Sequence, residues 1–377
     1  MNQFITLKSL ARKALVRLRD NLVFPELCYT DFGSDLHTPG ESILVRRPVR
    51  YEAKEFNQVA GVEIQDAVEE AVEVKLDTIA SVDIELTALE AARDFDDVDR
   101  LFIAPATQAI AEKINADGLM LYRDVRQNCG IAGTPPDTLS AFANASMFLD
   151  ENKTPQKPRY AIWSPHATSR LRQIPAVVSA EACGSTTALR EGTIGKVFGL
   201  ENYMSQAVFY HESGTLSEAT ETLTISAKTA GTAPTLELTA SKTGATPSIS
   251  GKGLVRGDLL QTDDYDLLVT ADCTAKSATK IVVPVDLRSY AAAKVGDVVH
   301  VVGGHEANLV FHPHAFGFVS RPLSAPAGVD SYTANYNGLS LRVTRGYDMK
   351  YKKELLSMDI LYAYKTLYPE LAVRYLG

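Results

Sequence analysis

The sequence has few cysteines, a single tryptophan and no long apolar run. Its four cysteines lie far apart and form no CxxC pair, so neither a disulfide framework nor a zinc ribbon is indicated. No stretch approaches the roughly 20 apolar residues that a membrane-spanning helix needs. The N-terminus also lacks the apolar core and small-residue cleavage site of a secretory signal. We therefore expect a soluble, unexported protein with free thiols.

An excess of positive charge is absent as well. The 377 residues include 38 Lys and Arg against 46 Asp and Glu, which gives a formal net charge of −8. A protein whose main task is to neutralise nucleic-acid phosphates normally has a basic domain, so the charge argues against that class. With 45% hydrophobic and 22% charged residues, the composition is that of a globular protein of two or three domains.

Familiar catalytic signatures are missing too. The sequence contains no GxSxG elbow, HExxH helix, Walker A loop or kinase motif. The glycines of 251–257 have the wrong spacing for a phosphate loop and favour a cluster of β-turns. His305, His312 and His314 leave a metal site open, but Pro313 interrupts the strand, so surface or capped core histidines are favoured. We predict no enzyme, no cofactor and no metal.

The N-terminal segment 7–22 places leucines and alanines at three- and four-residue spacing, with Lys and Arg on the other face. This pattern predicts a basic amphipathic helix. So short a helix needs a cover for its apolar face. The sequence leaves three covers open: the core of the chain itself, another subunit, or a membrane surface.

A charged two-stranded arm is predicted over 40–77. Strand-like stretches at 42–51 and 72–77 flank an acidic segment, 52–70, whose obvious turn residue is Gly61. An isolated ribbon of this kind is rarely stable, so it belongs to a larger sheet or lies against a neighbour.

A strand over 82–86 then runs into a capping-box pattern at Thr87, which predicts that a helix begins there. The longest helix is predicted from Pro105 to near Asn128. Residues 138–210 mix helix and strand: a helix over 139–149, a buried strand over 159–163 that carries the core residue Trp163, and a short helix over 166–172.

The composition changes abruptly near residue 211. Residues 211–304 are rich in Thr, Ser, Ala and Gly and predict an all-β segment of barrel or sandwich type, inserted into the surrounding domain. Its strands are expected at 222–226, 235–239, 265–270, 280–285 and 297–302. The carboxylates of Asp263, Asp264 and Asp266 fit a solvated turn, a calcium site or an electrostatic contact with another subunit.

The last segment predicts strands at 308–312, 316–320, 339–343 and 358–362, which we expect to form one sheet with the earlier region. Its ending, 367–375, is apolar nearly throughout. We therefore expect this ending to be packed rather than trailing.

The order of these parts resembles the major capsid proteins of tailed bacteriophages with the Hong Kong 97 fold, and among them the coat protein of the Salmonella podovirus type, which carries an inserted β domain. The resemblance lies in the order and in these stretches: ADGLMLYRDV at 116–125, GIAGTP at 130–135, FGFVSRPL at 316–323, GLSLRV at 338–343 and DILYAYKTLYPELAVR at 359–374. It covers 1–210 and 305–377, whereas the insert agrees in position and composition.

The resemblance implies an α+β fold with the following parts: an N-terminal arm over 1–39, an extended β loop over 40–78, a peripheral domain with the spine helix over 79–135, axial segments over 136–210 and 305–333, an inserted β-barrel-like domain over 211–304, and C-terminal peripheral strands over 334–377. The helix and the loop would then be straps between subunits. Intersubunit contacts are expected at Arg12, Arg17, Arg46, Arg47, Arg50, Glu55, Gly61, Glu69, Glu70, Asp263, Asp264 and Asp266.

The implied function is a structural one. The chain would assemble in the host cytoplasm into pentamers and hexamers of an icosahedral head, with scaffolding and portal proteins, and enclose double-stranded DNA in the virion without sequence-specific binding. Two alternatives stay open: a surface binding module that uses the Thr-rich β insert, and an enzyme of unrecognised type.

Overall fold

The structure is a computed structural model. It describes residues 7–30, 42–46, 71–87, 99–178, 191–242, 246–326, 328–336, 338–349 and 353–377. The chain divides into two units: unit 1 is Met1–Pro25, Tyr29–Ile114 and Gly317–Leu367, and unit 2 is Glu26–Cys28, Asn115–Phe316 and Tyr368–Gly377.

Two strands of unit 1 form the predicted arm. Strands β1 (Ser42–Arg46) and β2 (Ala71–Lys75) pair antiparallel, from Ser42 opposite Lys75 to Arg46 opposite Ala71. We call this pair the ribbon. At its base, Val74 and Leu76 pack in a buried apolar cluster with Val319, Leu361 and Ala363. The ribbon is thus joined to its own unit through this cluster, while the segment between its strands lies outside the described residues.

Unit 1 also contains a sheet of five strands. The order is β18-β21-β20-β19, and β3 pairs with the long strand β21. The strands are β3 (Thr78–Thr87), β18 (Phe316–Arg321), β19 (Asp330–Tyr336), β20 (Leu339–Asp348) and β21 (Lys353–Thr366). The helix predicted to begin at Thr87 falls on residues outside the described part of the chain.

The predicted N-terminal helix is present as Leu7–Asn21, and a short helix, Phe24–Leu27, follows. The apolar residues of helix Leu7–Asn21 are buried against strands β19 and β20 of the same chain; they are Ala11, Ala14, Leu15 and Leu18. The expectation that this helix serves as a strap between subunits is therefore wrong for its apolar face. The chain's own sheet covers that face and leaves basic residues outside.

The long helix is shorter than predicted at its C-terminal end. A π-helical turn at Asp99–Ile103 leads into the α-helix Ala104–Leu119, and a 3-10 turn, Met120–Asp124, ends it. Val125 is extended, with φ −95° and ψ 113°. The helix cannot reach Asn128, because Asn128–Gly130 forms strand β4, which pairs parallel with the C-terminal strand β22 (Ala372–Leu376).

The sheet of unit 2 that contains β4 and β22 has seven strands. Its order is β4-β22-β17-β5-β7-β6, with β8 on β17. The remaining elements are β5 (Tyr160–Trp163), β6 (Lys196–Val197), β7 (Leu200–Met204), β8 (Tyr210–His211) and β17 (His305–Phe311), with helices Ser140–Glu151, Pro165–Leu171 and Pro175–Val178. Helix Ser140–Glu151 and helix Pro165–Leu171 match the predicted positions.

Trp163 is fully buried, as predicted. It makes edge-to-face contacts with Phe142, at 5.5 Å between ring centroids, and with Tyr375, at 5.4 Å. Gly130, with φ +91°, lies where β4 meets β22, and a Cβ there would come within 2.6 Å of the Leu376 carbonyl oxygen. A glycine is thus required for this close approach.

The terminal strands do not form one sheet, which corrects the expectation. β17 and β22 belong to unit 2, whereas β18 to β21 belong to unit 1. The change of sheet occurs at two 3-10 turns, Pro313–Ala315 and Pro369–Leu371. Residues 317–367 lie in unit 1 and residues 368–377 in unit 2, and the boundary expected at 333 and 334 stays a prediction. Alternation predicts a strand but leaves its partner undetermined.

The segment Thr222–Val301, which we call the β module, has an antiparallel sheet of order β13-β12-β16-β9-β10-β15 and a pair β11-β14. The strands are β9 (Thr222–Thr229), β10 (Thr235–Ser241), β11 (Gly253–Leu254), β12 (Leu259–Gln261), β13 (Asp266–Leu268), β14 (Cys273–Thr274), β15 (Lys280–Pro284) and β16 (Val298–Val301). All five strands predicted here are present. Among the described residues, these strands pair only with one another, and their apolar side chains form a core cluster that belongs to residues 216–299.

Candidate functional site

Most of the predicted contact residues of the arm belong to one segment. Arg46 is the last residue of β1 and lies opposite Ala71, the first residue of β2. In the sequence, residues 47–70 therefore follow β1 and precede β2. Six of the predicted residues lie in that segment and outside the described part of the chain: Arg47, Arg50, Glu55, Gly61, Glu69 and Glu70.

The basic face of helix Leu7–Asn21 is only partly exposed. Arg12 is exposed and Arg17 is half-buried. Arg19 donates to Asp20 at 2.8 Å and lies 5.4 Å from the centroid of the Tyr336 ring. A groove of about 390 Å³ lies between this helix and strand β19, and Arg12 and Arg19 are among the residues that line it.

The predicted acidic turn separates into two parts. Asp263 and Asp264 are exposed between β12 and β13, and Asp264 lies 3.3 Å from the Lys294 ammonium. Asp266 is half-buried within unit 2, where burial raises its pKa while Arg126 and other polar neighbours act in the opposite direction. Two of the three carboxylates are thus presented to the outside, and the third faces its own unit.

A polar site that the sequence did not reveal lies inside unit 2. The Tyr122 hydroxyl is 2.9 Å from His211 Nδ1, and His211 Nε2 is 2.8 Å from Asp258 Oδ1. Because an ionised carboxylate only accepts, His211 donates from Nε2, and in the neutral ring Nδ1 accepts from the tyrosine. Asp258 also accepts from the backbone N–H of Val255 at 2.7 Å and of Gly214 at 3.1 Å.

Arg374, on strand β22, completes this site. Its side chain is fully buried, donates from Nη2 to the Gly257 carbonyl at 2.9 Å and lies 5.3 Å from the centroid of the Tyr122 ring. Burial lowers its pKa to about 10, against the opposing effect of Tyr122, Asp258 and Asp266, so the guanidinium stays charged at neutral pH. We call Tyr122, His211, Asp258 and Arg374 the polar centre.

Two further contacts flank the polar centre. Arg256 donates to Asp124 at 2.9 Å, and the Gln261 side chain donates to Asn128 at 3.0 Å. Both contacts join the β module to residues 124–128, and the polar centre likewise joins it to Tyr122. Directional polar contacts therefore help to hold the β module on the rest of unit 2, beside a small apolar cluster in which Leu259 and Leu268 meet Leu376.

The polar centre is unsuited to catalysis. A catalytic acid or base must reach its substrate within hydrogen-bond distance. Tyr122 and His211 are each 2% exposed, and Asp258 is not exposed at all. The relay of Tyr, His and Asp is therefore a positioning element that joins distant parts of the sequence.

The three histidines considered as metal ligands have local partners. The buried His305 lies 2.8 Å from the Gly303 carbonyl through Nδ1, and burial lowers its pKa to about 3. His312 accepts from the backbone N–H of His314 and stacks on its ring at 5.0 Å, and burial lowers its pKa to about 4. Across the part of the chain that the structure describes, no three His, Cys, Asp or Glu residues are grouped to hold a metal.

The polar centre left one signal in the sequence. Arg374 lies within the apolar run 371–376, and a charge in a buried strand is rarely tolerated without a partner. Its partners come from positions 122, 257 and 258, whose separation along the chain has no regular spacing. The charge was detectable, but its partners were not.

No protein-family model matches the chain. The major capsid protein of Acyrthosiphon pisum secondary endosymbiont phage 1 is 22% identical over 387 residues, covering 90% of this chain and 89% of the relative. A solved structure from Mycobacterium phage Che8 has a TM-score of 0.51 at 13% identity and covers 94% of this chain and 90% of its own. The chain has the Hong Kong 97 capsid fold.

The capsid fold expected from the resemblance is thereby confirmed, while the narrower podovirus coat type stays a prediction. The capsid structure of the cyanophage P-SCSP1u covers 90% of this chain and 84% of its own, with a TM-score of 0.46 and 13% identity. Within the described part of this capsid fold, no helix is both long and apolar enough to cross a bilayer.

Proposed function

We propose that this chain is a phage major capsid protein that assembles with copies of itself into the icosahedral head shell around double-stranded DNA. The observation that carries this proposal is the match over 90% of the chain to a relative named as a major capsid protein. The capsid fold agrees with it. Hexamers and pentamers are the units of such a shell, and the virion is the place where it resides.

The contact surfaces of this proposal follow from the ribbon and the exposed charges. The sequence between β1 and β2 carries Arg47, Arg50, Glu55, Gly61, Glu69 and Glu70. The base of the ribbon is packed within unit 1. Arg12, Asp263 and Asp264 are exposed on the described surface. We assign these residues, with Arg17 and Arg46, to contacts between subunits. Asp266 has partners inside unit 2 and supports such a contact least.

The β module is proposed as the inserted domain, within the boundaries 211–304. Its strands pair internally and it has its own apolar core, which supports a segment that folds as a body. Its role would be to stabilise the subunit or to contact a neighbour. Excision of 211–304 with a short linker tests this role, and an unaffected shell of the correct size would contradict it.

Scaffolding and portal proteins are the expected partners, with assembly in the host cytoplasm. The net charge of −8 supports a shell that encloses DNA without binding it tightly. The chain is proposed to act as a structural protein, without a catalytic role.

The experiment is to express the chain alone and with its neighbouring reading frames, and to analyse the products by sedimentation velocity and negative-stain imaging. Closed shells, or spirals and sheets of megadalton mass, are expected. A stable monomer or small ring in every combination would contradict the proposal and would favour the binding module, to be followed by glycan and receptor screening.

A variant that lacks the loop tip around Gly61 sharpens this experiment. A shell protein would give a folded monomer that forms no shells, whereas a binding module would keep its oligomeric state. Fluorescence of Trp163, which is buried in unit 2, serves as the control for folding.

A further inference from the structure

A two-residue turn at the edge of the unit 2 sheet has an unusual occupant. Strands β6 and β7 form a hairpin in which Val197 pairs with Leu200, so Phe198 and Gly199 make the turn. Both have positive φ, 48° for Phe198 and 82° for Gly199. A turn with two left-handed residues matches the twist of a hairpin and normally holds Asn, Asp or Gly. For a bulky residue such as Phe198 this conformation is strained.

The Phe198 ring gains little inside its own chain. Phe198 is 59% exposed, although burial of a phenyl ring is favourable. The turn thus combines an unfavourable backbone with an unfavourable exposure. Strained residues of this kind persist where the surroundings fix them and are concentrated at functional positions.

The hairpin beneath the turn is firmly held. Leu200 is fully buried, and β7 pairs in parallel with β5. The Asn202 side chain donates to the Gly195 carbonyl at 2.9 Å and accepts from the indole N–H of Trp163 at 2.8 Å. Phe198 is therefore presented at a fixed position, which reduces the entropy lost when a partner binds it.

The chain contains a matched case for comparison. Among the described residues, Lys153 is the other non-glycine residue with positive φ, at 56°. It follows helix Ser140–Glu151, where a left-handed residue is a common way to end a helix, and its N–H donates to the Asp150 carbonyl at 2.9 Å. Its charged side chain also suits exposure to water. Lys153 therefore has a local explanation that Phe198 lacks.

We propose that Phe198 is an anchor of the contact between copies of this chain, with its ring buried in an apolar surface of a second copy. This inference rests on the proposed function, since assembly requires each chain to bury surface against others. Lys196 and Glu201 beside the turn pair with each other at 2.9 Å, so the hairpin tip presents an uncharged apolar ring. Exposed aromatic anchors that fill a partner's pocket carry much of the energy of interfaces.

The test compares Phe198→Asn with Lys153→Asn in the full chain. Asn tolerates the left-handed conformation, so both variants should unfold at the same denaturant concentration as the wild type or a higher one. Phe198→Asn should raise the protein concentration needed for shell formation at least tenfold, measured by light scattering and sedimentation. Lys153→Asn should leave that concentration unchanged.

Two results would overturn the inference. One is a Phe198→Asn chain that assembles at the wild-type concentration; the other is a clear loss of its own stability, which would show that the ring acts within the chain. Neither result bears on the proposed function, because that proposal fails only when the wild-type chain forms no shells. The wild-type control therefore separates the two failures.

Discussion

The interior of the β module and its attachment to unit 2 differ in chemistry. The interior is an apolar cluster that includes Ile225, Leu236 and Leu238, whereas the attachment combines a small apolar contact of Leu259 and Leu268 with Leu376 and the buried charges of the polar centre. Apolar contact is non-directional and follows buried area, whereas charged hydrogen bonds require fixed geometry. The comparison indicates that the apolar core makes the module fold and that the polar centre sets where it is held.

Among these variants, Asp258→Asn should lower the free energy of unfolding the most. The carboxylate accepts from His211 and two backbone N–H groups, and it opposes the charge of Arg374. An amide in its place turns an N–H group toward donors and leaves the guanidinium without this counter-charge, so we expect a loss of about 3–5 kcal/mol. Denaturant unfolding followed by Trp163 fluorescence measures it.

The matched control is Asp272→Asn, an exposed carboxylate that accepts from the Arg256 backbone N–H at 2.7 Å. Asp272→Asn should lower the free energy of unfolding by less than about 1.5 kcal/mol. In Asp258→Asn, hydrogen exchange should increase in 211–218 and 253–261 more than in strands β9 and β10. Equal increases everywhere would remove the distinction between core and attachment.

Leu238→Ala tests the other side of the comparison. Leu238 is fully buried in the apolar cluster of the module. Truncation of its side chain leaves a cavity and should lower the free energy of unfolding by about 3 kcal/mol. Faster hydrogen exchange is expected first in β9, β10 and β15. An equal increase in these strands and around 253–261 would show that core and attachment are one cooperative body.

Acid should weaken unit 2 through groups that the apolar core lacks. His305 stays neutral in the folded chain because burial lowers its pKa to about 3, whereas an unfolded histidine titrates near 6.5. Below pH 6.5 the unfolded chain binds the extra proton, so stability is complete above that pH and falls by about 1.4 kcal/mol per pH unit toward pH 3. His312, with a pKa of about 4, acts in the same direction.

His305→Gln should reduce this slope, as measured by unfolding at a series of pH values between 7 and 4. Gln keeps an N–H group for the Gly303 carbonyl but takes up no proton. His300→Gln, on an exposed position of β16, is the control for loss of an imidazole. An unchanged slope in His305→Gln would show that the buried ring is not the group that responds to acid.

The smallest effect is expected at the acidic turn. Asp264 and Lys294 form an exposed ion pair, so Asp264→Asn should change stability by less than about 1 kcal/mol. Its effect on assembly is the informative readout, because Asp264 is assigned to a contact between subunits. Wild-type assembly at low and high salt would contradict that assignment.

Elements with a clear period were predictable. The helix Leu7–Asn21 and the strands β9 and β10 follow from apolar spacing, since that spacing alone determines which face is buried. The strands that cover the apolar face of that helix were not predictable. Periodicity shows that the face must be buried, but it does not show against which element. Strand β4 was missed for a related reason: three residues gain their structure from pairing with Leu376 and its neighbours, far away in sequence.

The polar centre shows the same limit at a site. Tyr122, His211 and Asp258 each look ordinary in their local sequence, and only the fold brings them to within 3 Å of their partners. The exposed Phe198 could be read as an apolar residue near a turn, but its left-handed backbone is visible only in three dimensions.

The position of β22 has a consequence for the order of events during synthesis. This strand lies between β4, from the early part of the segment Asn115–Phe316 of unit 2, and β17. While the ribosome is still making the residues of unit 1 that come before β22, β4 and β17 stand without the neighbour that joins them. Such a nascent chain exposes strand edges that invite wrong pairing. Closure of this sheet therefore has to wait until translation has passed Leu376, and chaperones that shield strand edges would matter most in that interval.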